Sequence, residues 1–267
     1  MEPVAAARSR VEWRMVNALR RAQSAINDAA GRAILGFIER VETAIKRTPD
    51  GERTFFDPSA LPWVANLEAS WPLIRQELDA IMPRVDLLPS FDEISPVEVG
   101  GDGWKVFLFL AYGIPLERNR RRCPNTARLI DTIPGVTSAM FSILKAGRRL
   151  PEHRGPYSGI LRYHLGLVVP EGQCAIRVGS DVKFWQEGKS LMFDDARNHE
   201  AWNDSDRDRV VLFVDVLRPL PLSLALANRA VIWIIRNSSW IQLGRARWAK
   251  WESRFGEELE KVIAAAR

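Results

Sequence analysis

The pattern of apolar and polar residues divides the chain into a helical beginning, a strand-rich middle and a helical end. Up to residue 48, apolar side chains recur every three or four positions, which predicts an amphipathic helix. A second, shorter helix is predicted from about Ser70 to Met82, because Pro83 ends the pattern there. A further helical pattern begins after Pro219 and continues towards the C-terminus.

Between these helices, short apolar runs separated by turn residues predict a series of β-strands. The predicted strands are Trp104–Tyr112, Ala139–Lys145, Gly159–Pro170, Ala175–Val178, Asp181–Trp185, Ser190–Phe193 and Arg209–Leu217. The segments KAGRRLP, EGQ, VGSD and QEGK have the composition of the intervening turns. Many short strands at this spacing are typical of an all-β sandwich or barrel. The fold is therefore predicted to be mainly β with flanking α-helices.

This pattern predicts three parts: a basic amphipathic helix at residues 1–48, a β domain at 60–219 and an apolar, tryptophan-rich extension at 220–267. The first helix carries more arginines than acids, so it is interpreted either as lying on an anionic membrane or as packing on the domain or a second subunit. The extension mixes cations with Trp233, Trp240, Trp248 and Trp251. Such a helix either sits at the lipid headgroup layer or covers one face of the β domain.

Composition narrows the class of protein. The net charge of +5 is compatible with an acidic ligand, an anionic membrane or nucleic acid and selects none of them. Only Cys123 and Cys174 occur, which excludes a disulfide framework and a cysteine-rich zinc site. No uncharged run reaches the ~18 residues of a transmembrane helix, and no signal-peptide pattern is seen. The expected location is cytoplasmic, including a peripheral position on the inner face of the membrane. The basic run at residues 118–123 is interpreted as a solvated loop, with contact to an anionic headgroup or phosphate as the alternative.

All the histidines of the chain lie between Pro151 and Pro219. They are His153, His164 and His199, and Arg209 follows the last of them by ten residues. Imidazole is the commonest protein ligand for metals. Each histidine taken alone fits a satisfied core or surface residue, but their concentration among predicted strands favours a site.

Strand periodicity predicts which side chains share a face of the sheet. In one strand Ile160, Arg162 and His164 share a face, and in another Arg209 has the phase of Val211, Phe213 and Asp215. Basic and hydrogen-bonding groups inside a sheet need a ligand or a partner. Because a guanidinium binds a carboxylate through two parallel hydrogen bonds, a small dicarboxylate is the expected ligand.

Two segments resemble a known family. HRGPYSGILRYHLGLVVP and WQEGKSLMFDDARNHEAWNDSDRDRVVLFVDVLRP are similar to the aspartyl/asparaginyl β-hydroxylase family of iron(II)- and 2-oxoglutarate-dependent oxygenases. The resemblance extends over roughly residues 104–219. It implies a double-stranded β-helix, a jelly-roll variant with a cupin-like core. It also implies an enzyme that uses Fe(II), 2-oxoglutarate and O2 to hydroxylate an unactivated C–H bond, and no role for nucleic acid.

The resemblance assigns roles to individual residues. It implies that His153 of the HxGP element and His199 of the FDDxxxHE element bind the metal. It implies that Ser142, His164 and Arg209 hold 2-oxoglutarate. His153, His199 and Arg209 are accordingly the expected catalytic residues.

Other positions concern the substrate side of the site. Trp104 and Arg162 resemble residues that face the substrate, although Trp104 fits a core position equally well. Gly155 stands where most related oxygenases carry a third ligand, a carboxylate, so water is expected there, or halide in a halogenase. Asp194 and Asp195 are expected to support the site or the strand end rather than bind the metal.

The substrate is predicted from the same resemblance. CPNTARLIDTIPGVTSAMFSIL and the apolar helix after residue 219 are most similar to bacterial hydroxylases of the acyl chains of lipid A or ornithine lipids. Ile160 replaces a second arginine found in the protein-modifying members. The preferred hypothesis is a peripheral membrane oxygenase acting on a fatty-acyl chain. The alternatives are a hydroxylase of aspartyl or asparaginyl residues or of a free amino acid, and a cupin-like protein that binds a ligand without turnover.

Overall fold

The computed structural model describes residues 29–95, 99–171 and 174–265. The α-helices are α1 Ala29–Lys46, α2 Pro62–Ala69, α3 Trp71–Asp79, α4 Phe91–Ile94, α5 Glu117–Arg122, α6 Pro124–Asp131, α7 Leu222–Arg236 and α8 Ser239–Ala265. The strands are β1 Phe55–Phe56, β2 Trp104–Ala111, β3 Ile114–Pro115, β4 Val136–Leu144, β5 Arg148–His153, β6 Ile160–Val168, β7 Cys174–Val178, β8 Asp181–Phe184, β9 Ser190–Phe193, β10 His199–Asn203 and β11 Arg209–Leu217. Short 3-10 helices are formed by Pro58–Ala60, Met82–Leu87 and Gly101–Gly103.

The strands form two antiparallel sheets with the hydrophobic core between them. The larger sheet has the order β1-β9-β6-β11-β4-β2-β3, and the smaller has the order β5-β10-β7-β8. Strand β11 lies at the centre of the larger sheet, and all its residues from Arg209 to Val216 are buried. The prediction of a mainly β, jelly-roll fold with flanking helices is confirmed.

The predicted strands are all present, but the sequence pattern missed β5 and β10 as well as the two-residue strands β1 and β3. The assignment of KAGRRLP to a turn is wrong beyond Gly147, where β5 begins. Strand β5 is an edge strand with mostly exposed or half-buried residues and a proline, so it lacks an apolar pattern. Strand β10 buries His199, Ala201 and Asn203, and two of these are polar. Hydropathy therefore could not reveal either strand.

The interpretation of residues 118–123 as a solvated loop is also wrong. The segment belongs to helix α5, and Arg122 is only 5% exposed. Its guanidinium donates to the Glu252 carboxylate at 2.9 Å and to the Gly256 carbonyl at 2.6 Å. Both partners lie on α8, far away in sequence, so the basic run alone could not predict them.

The flanking helices contribute to two apolar cores. Trp248 and Trp251 of α8 are each 7% exposed and join the main core, where α8 packs on α4 and on the 3-10 helix Met82–Leu87. Helices α1 and α7 pack on each other around Val41, Ile45 and Val231. Residues 1–28 of the predicted N-terminal helix lie outside the described residues, and the division of the chain at residues 48 and 219 stays a prediction. In the described part of the chain, none of the helices combines the length and apolarity that crossing a bilayer requires.

A buried side-chain amide fixes the turn before strand β11, which begins at Arg209. The Asn203 side chain is fully buried and donates to the carbonyls of Leu144 at 3.0 Å and Arg207 at 2.7 Å. Its oxygen accepts from the Ser205 hydroxyl at 2.6 Å. These bonds tie the end of β10 to the end of β4 and to the turn that precedes Arg209.

We expect Asn203→Ala to lower the free energy of unfolding by about 2–4 kcal/mol, because it leaves several buried polar groups without partners. Urea denaturation measures this change. The matched control is Asp206→Ala, an exposed position in the same turn, which should change stability by no more than about 0.5 kcal/mol. Similar small losses in both variants would contradict a structural role for the amide.

Candidate active site

The two predicted metal ligands lie side by side in the smaller sheet. His153 ends β5 and His199 begins β10, and the two residues are direct partners in the antiparallel register. Their imidazole centroids are 4.2 Å apart. The structure therefore brings together two histidines that are 46 positions apart in the sequence.

The hydrogen bonds of both imidazoles leave one ring nitrogen of each available to a metal. Nδ1 of His153 lies 2.8 Å from the Pro151 carbonyl, and Nδ1 of His199 lies 2.9 Å from the Arg197 carbonyl. A carbonyl only accepts, so Nδ1 carries the proton and Nε2 carries a lone pair. Burial lowers the pKa of His153 to about 3 and the pKa of His199 to about 4. Both rings are therefore neutral near pH 7, as metal binding requires.

A carboxylate lies beside this pair. Asp195 Oδ1 is 3.3 Å from His199 Nε2, so a lone pair and a negatively charged oxygen face each other. A cation at this position would remove the repulsion between them. Among the described residues, no group of three or more histidine, cysteine, aspartate or glutamate side chains forms a metal-binding cluster. The donor set thus fits a metal held by two histidine nitrogens with a carboxylate nearby.

Asp195 also explains why position 155 is a glycine. A Cβ atom at Gly155 would lie 1.7 Å from Asp195 Oδ2, and the Gly155 N–H donates to the Asp195 carbonyl at 2.8 Å. A side chain at position 155 would therefore compete with Asp195 for this space, and the expectation that water or halide takes the third ligand's place stays a prediction. The carboxylate of Asp195, which follows the end of β9, fills this volume.

Arg162 holds that carboxylate in place. Its guanidinium donates to Asp195 and makes two hydrogen bonds, of 2.9 and 3.2 Å, to the carboxylate of Asp215. It also lies 4.1 Å from the centre of the Phe213 ring. Burial raises the pKa of Asp215 to about 6, against the opposing effect of Arg162. Arg162 is thus engaged by two carboxylates, and its predicted contact with substrate stays a prediction.

The residues predicted to hold 2-oxoglutarate share one face of the larger sheet. Val211 pairs with Ser142 and Phe213 pairs with His164, and Arg209 has the same phase along β11. This face faces the smaller sheet, because the Phe193 ring lies 5.1 Å from the ring of His164 and 5.8 Å from that of His199. The pattern-based prediction of the shared face is confirmed.

Several hydrogen-bond donors on this face have no partner among the described residues. Arg209 is 1% exposed, and its Nε and Nη1 atoms are buried and unpaired, as is Nε2 of His164. Burial lowers the pKa of Arg209 to about 10. Ser142 accepts a hydrogen bond from Trp104 at 2.9 Å and keeps its own hydroxyl hydrogen to donate. A buried cation without a counter-charge is costly, so this arrangement fits an anionic ligand.

Trp185 belongs to this pocket, and the sequence pattern did not identify it. Its indole N–H donates to Nδ1 of His164 at 3.3 Å, and its ring lies 4.4 Å from the guanidinium carbon of Arg209. Because the indole only donates, Nδ1 of His164 accepts and Nε2 carries the hydrogen. The only sequence signal was its place in WQEGK, inside the family-like segment.

Trp104 occupies a core position behind the pocket. It is 5% exposed, and its ring stacks on Phe91 with centroids 4.1 Å apart. Its indole N–H donates to the Ser142 hydroxyl. Its predicted role on the substrate side stays a prediction.

Comparison with known proteins identifies the family. The family model described as "Aspartyl/Asparaginyl beta-hydroxylase" matches residues 68–219. The chain belongs to this family. The predicted resemblance is thereby confirmed, and the family is one of hydroxylases.

The relatives of this protein differ in the substrates that their names state. An ornithine lipid ester-linked acyl 2-hydroxylase of Rhizobium tropici is 44% identical over 215 residues, which cover 79% of this chain and 76% of that protein. The human aspartyl/asparaginyl beta-hydroxylase is 36% identical over 161 residues, 58% of this chain and 21% of that protein. Among solved structures, the cupin domain of Schizosaccharomyces pombe Cnp3 matches 51% of this chain and 76% of that chain, with a TM-score of 0.32 and 10% identity. That structural likeness is too distant to add to the argument.

We expect Gly155→Ala to destabilise the hydroxylase by about 2 kcal/mol, because the new methyl group meets Asp195. The same change in an Asp195→Ala background should cost clearly less. Urea unfolding of both single variants and the double variant gives the coupling between the two positions. Equal costs in the two backgrounds would show that the carboxylate does not fill this space.

We expect the proton of His164 to be confined no longer to Nε2 in Trp185→Phe. This change removes the indole N–H that donates to Nδ1 but keeps an aromatic ring beside Arg209. Nitrogen NMR of isotope-labelled histidine should find the proton on Nε2 in the native protein and on both nitrogens in the variant. Trp104→Phe, which removes the donor to Ser142 instead, is the matched control and should leave His164 unchanged. A native His164 protonated on Nδ1 would refute the assignment.

Proposed function

We propose that this protein is an iron(II)- and 2-oxoglutarate-dependent dioxygenase that hydroxylates an unactivated C–H bond in a lipid fatty-acyl chain. The observation that carries the proposal is the buried Arg209, whose unpaired donors lie beside His164 on a face opposite the His153–His199 pair. Arginine and histidine donors of this kind suit a small dicarboxylate. A peripheral position on the membrane is part of the proposal.

In this proposal Nε2 of His153 and Nε2 of His199 would hold the iron. Their Nδ1 atoms are engaged by backbone carbonyls, which orients both rings and strengthens them as ligands. When bound, Fe(II) supplies the activation of dioxygen that C–H hydroxylation requires. Asp195 adds negative charge beside the pair, and Arg162 restrains this carboxylate.

The second group of residues binds the keto acid. Arg209 would donate from Nε and Nη1, His164 from Nε2 and Ser142 from its hydroxyl to 2-oxoglutarate. The rings of Phe193, Phe213 and Trp185 surround His164 and exclude water from these contacts. A low-water environment strengthens each charged hydrogen bond.

Two observations favour a lipid acyl chain over an aspartyl residue. The guanidinium of Arg162 already binds Asp195 and Asp215, so it offers little free charge to a substrate carboxylate. Ile160, which replaces a second arginine, is 2% exposed and carries no charge. The Rhizobium tropici relative, named for a lipid acyl 2-hydroxylation, supports the same substrate class.

The decisive experiment is a substrate comparison with the purified full-length protein, Fe(II), 2-oxoglutarate and O2. Ornithine lipid, aspartyl or asparaginyl peptides, and free aspartate are offered separately, and succinate release is measured. We expect lipid-dependent succinate, with one oxygen atom added to the acyl chain by mass spectrometry. Turnover that depends only on the peptide or amino acid would instead support the alternative hydroxylase. Absence of turnover with all three would support a ligand-binding protein.

We expect His199→Ala to abolish iron binding, because the protein offers only two nitrogen ligands for it.

We expect Arg209→Ala to raise the KM for 2-oxoglutarate by about 10- to 100-fold, the effect of losing a charged hydrogen-bond partner. Arg207→Ala, an exposed neighbour on the preceding turn, is the control for Arg209. Stoichiometric iron in the His199 variant, or an unchanged KM in the Arg209 variant, would contradict the assigned roles.

A further inference from the structure

Helix α7 has an apolar stripe on its outer face. Leu222, Leu226 and Trp233 are 77%, 57% and 66% exposed, and they are the most exposed large apolar side chains among the described residues. Their spacing of four and seven positions places them on one side of the helix. Isolated apolar residues on a surface are ordinary, but an aligned group marks an interaction site.

The stripe is not needed for the internal packing of the protein. The inner face of α7 already packs through Val231 against Val41 and Ile45 of α1. The helix is therefore apolar on both sides, and a helix of this kind has a second apolar environment.

The charges on the same outer face indicate what that environment is. Arg229 and Arg236 are both exposed, and neither forms an ion pair with a described residue. The sequence of α7, LSLALANRAVIWIIR, contains no acidic residue. Tryptophan and leucine with flanking arginines are typical of a helix that lies at an anionic headgroup layer, with its rings and aliphatic side chains among the acyl chains.

A groove of about 210 Å³ runs beneath this face. It is lined by Trp233, Arg229 and Arg236 from the helix and by Tyr112 and Gly113 from the turn between β2 and β3. Tyr112 has a positive φ of 48°, an uncommon conformation for an aromatic residue, and its ring packs edge-to-face on Trp240.

Tyr112 lies near Asp215 of β11, because its N–H donates to the Ser138 hydroxyl at 3.2 Å and Ser138 is the register partner of Asp215. Burial, with the carboxylates of Asp215 and Asp195, raises the pKa of the Tyr112 phenol. The same two carboxylates accept hydrogen bonds from Arg162. Asp195 in turn contacts His199. Tyr112 therefore lines the groove and lies near the Asp215 carboxylate that binds Arg162.

We propose that the outer face of α7, formed by Leu222, Leu226, Arg229, Trp233 and Arg236, docks on an anionic lipid bilayer. The groove under Trp233 then opens towards the acyl chains. The direction of this groove rests on the proposed lipid hydroxylation, and the docking specifies the peripheral membrane position that the proposed function includes.

The test is sedimentation of the full-length protein with vesicles of phosphatidylcholine containing phosphatidylglycerol, compared with pure phosphatidylcholine. The first variant combines Leu226→Ser with Trp233→Ser and should weaken binding about tenfold or more. The second combines Arg229→Gln with Arg236→Gln and should remove the preference for anionic vesicles. The matched control is Val182→Ser with Phe184→Ser on β8, which are 45% and 56% exposed and lie outside the stripe.

Several results would overturn the proposal. One is binding that the α7 variants leave unchanged. Another is binding lost only when Arg20 and Arg21 are replaced by glutamine, which would assign the contact to the first 28 residues. A third is a dimer, seen without vesicles, that the Trp233 variant dissociates, because the stripe would then be covered by a second copy of the chain.

Turnover separates this proposal from the proposed function. The α7 variants should lose activity on lipid in vesicles and keep it on the same lipid dispersed in detergent. If the native protein hydroxylates no lipid in either form yet binds anionic vesicles through α7, the proposed substrate fails and the docking surface stands. Equal loss in vesicles and in detergent would overturn the docking role of the helix.

Discussion

The site depends on a buried positive charge that the protein leaves without a counter-charge. Arg209 lies at the start of the central strand, and two of its nitrogen donors have no partner among the described residues. The ring of Trp185 covers its guanidinium, and the Asn203 network fixes the turn before it. Such a charge destabilises the empty protein, and the binding of an anion relieves the cost. Stability and ligand binding are therefore linked at this residue.

Each of the two sheets contributes a different group of residues to the site. The smaller sheet contributes His153 and His199, whereas the larger contributes Arg209, His164 and Ser142. Phe193 lies between the imidazoles of His164 and His199, so it fixes the separation of the two groups. The geometry of the site thus follows from the packing of one sheet on the other, and each group alone would be incomplete.

Much of this arrangement could be predicted from the sequence, and the rest could not for identifiable reasons. Period-two alternation predicted that Arg162 and His164 share a face, and the register confirms it. Strand β10 was missed because its inward residues include a histidine and an asparagine. The role of Trp185 was missed because it depends on contacts between distant segments, which no local pattern encodes. Asp195 was expected to support the site, but its approach to Gly155 could not be predicted for the same reason. The roles assigned to the site residues from family resemblance remain predictions.

The close approach of Gly155 and Asp195 also limits how the site can be redesigned. A side chain at the first position and the carboxylate at the second compete for one volume. Grafting an acidic residue onto position 155, to imitate oxygenases with three protein ligands, would expel the native acid and deprive Arg162 of one partner. Any such conversion must therefore exchange positions 155, 162 and 195 together, and natural sequences that differ at one of them should differ at the others.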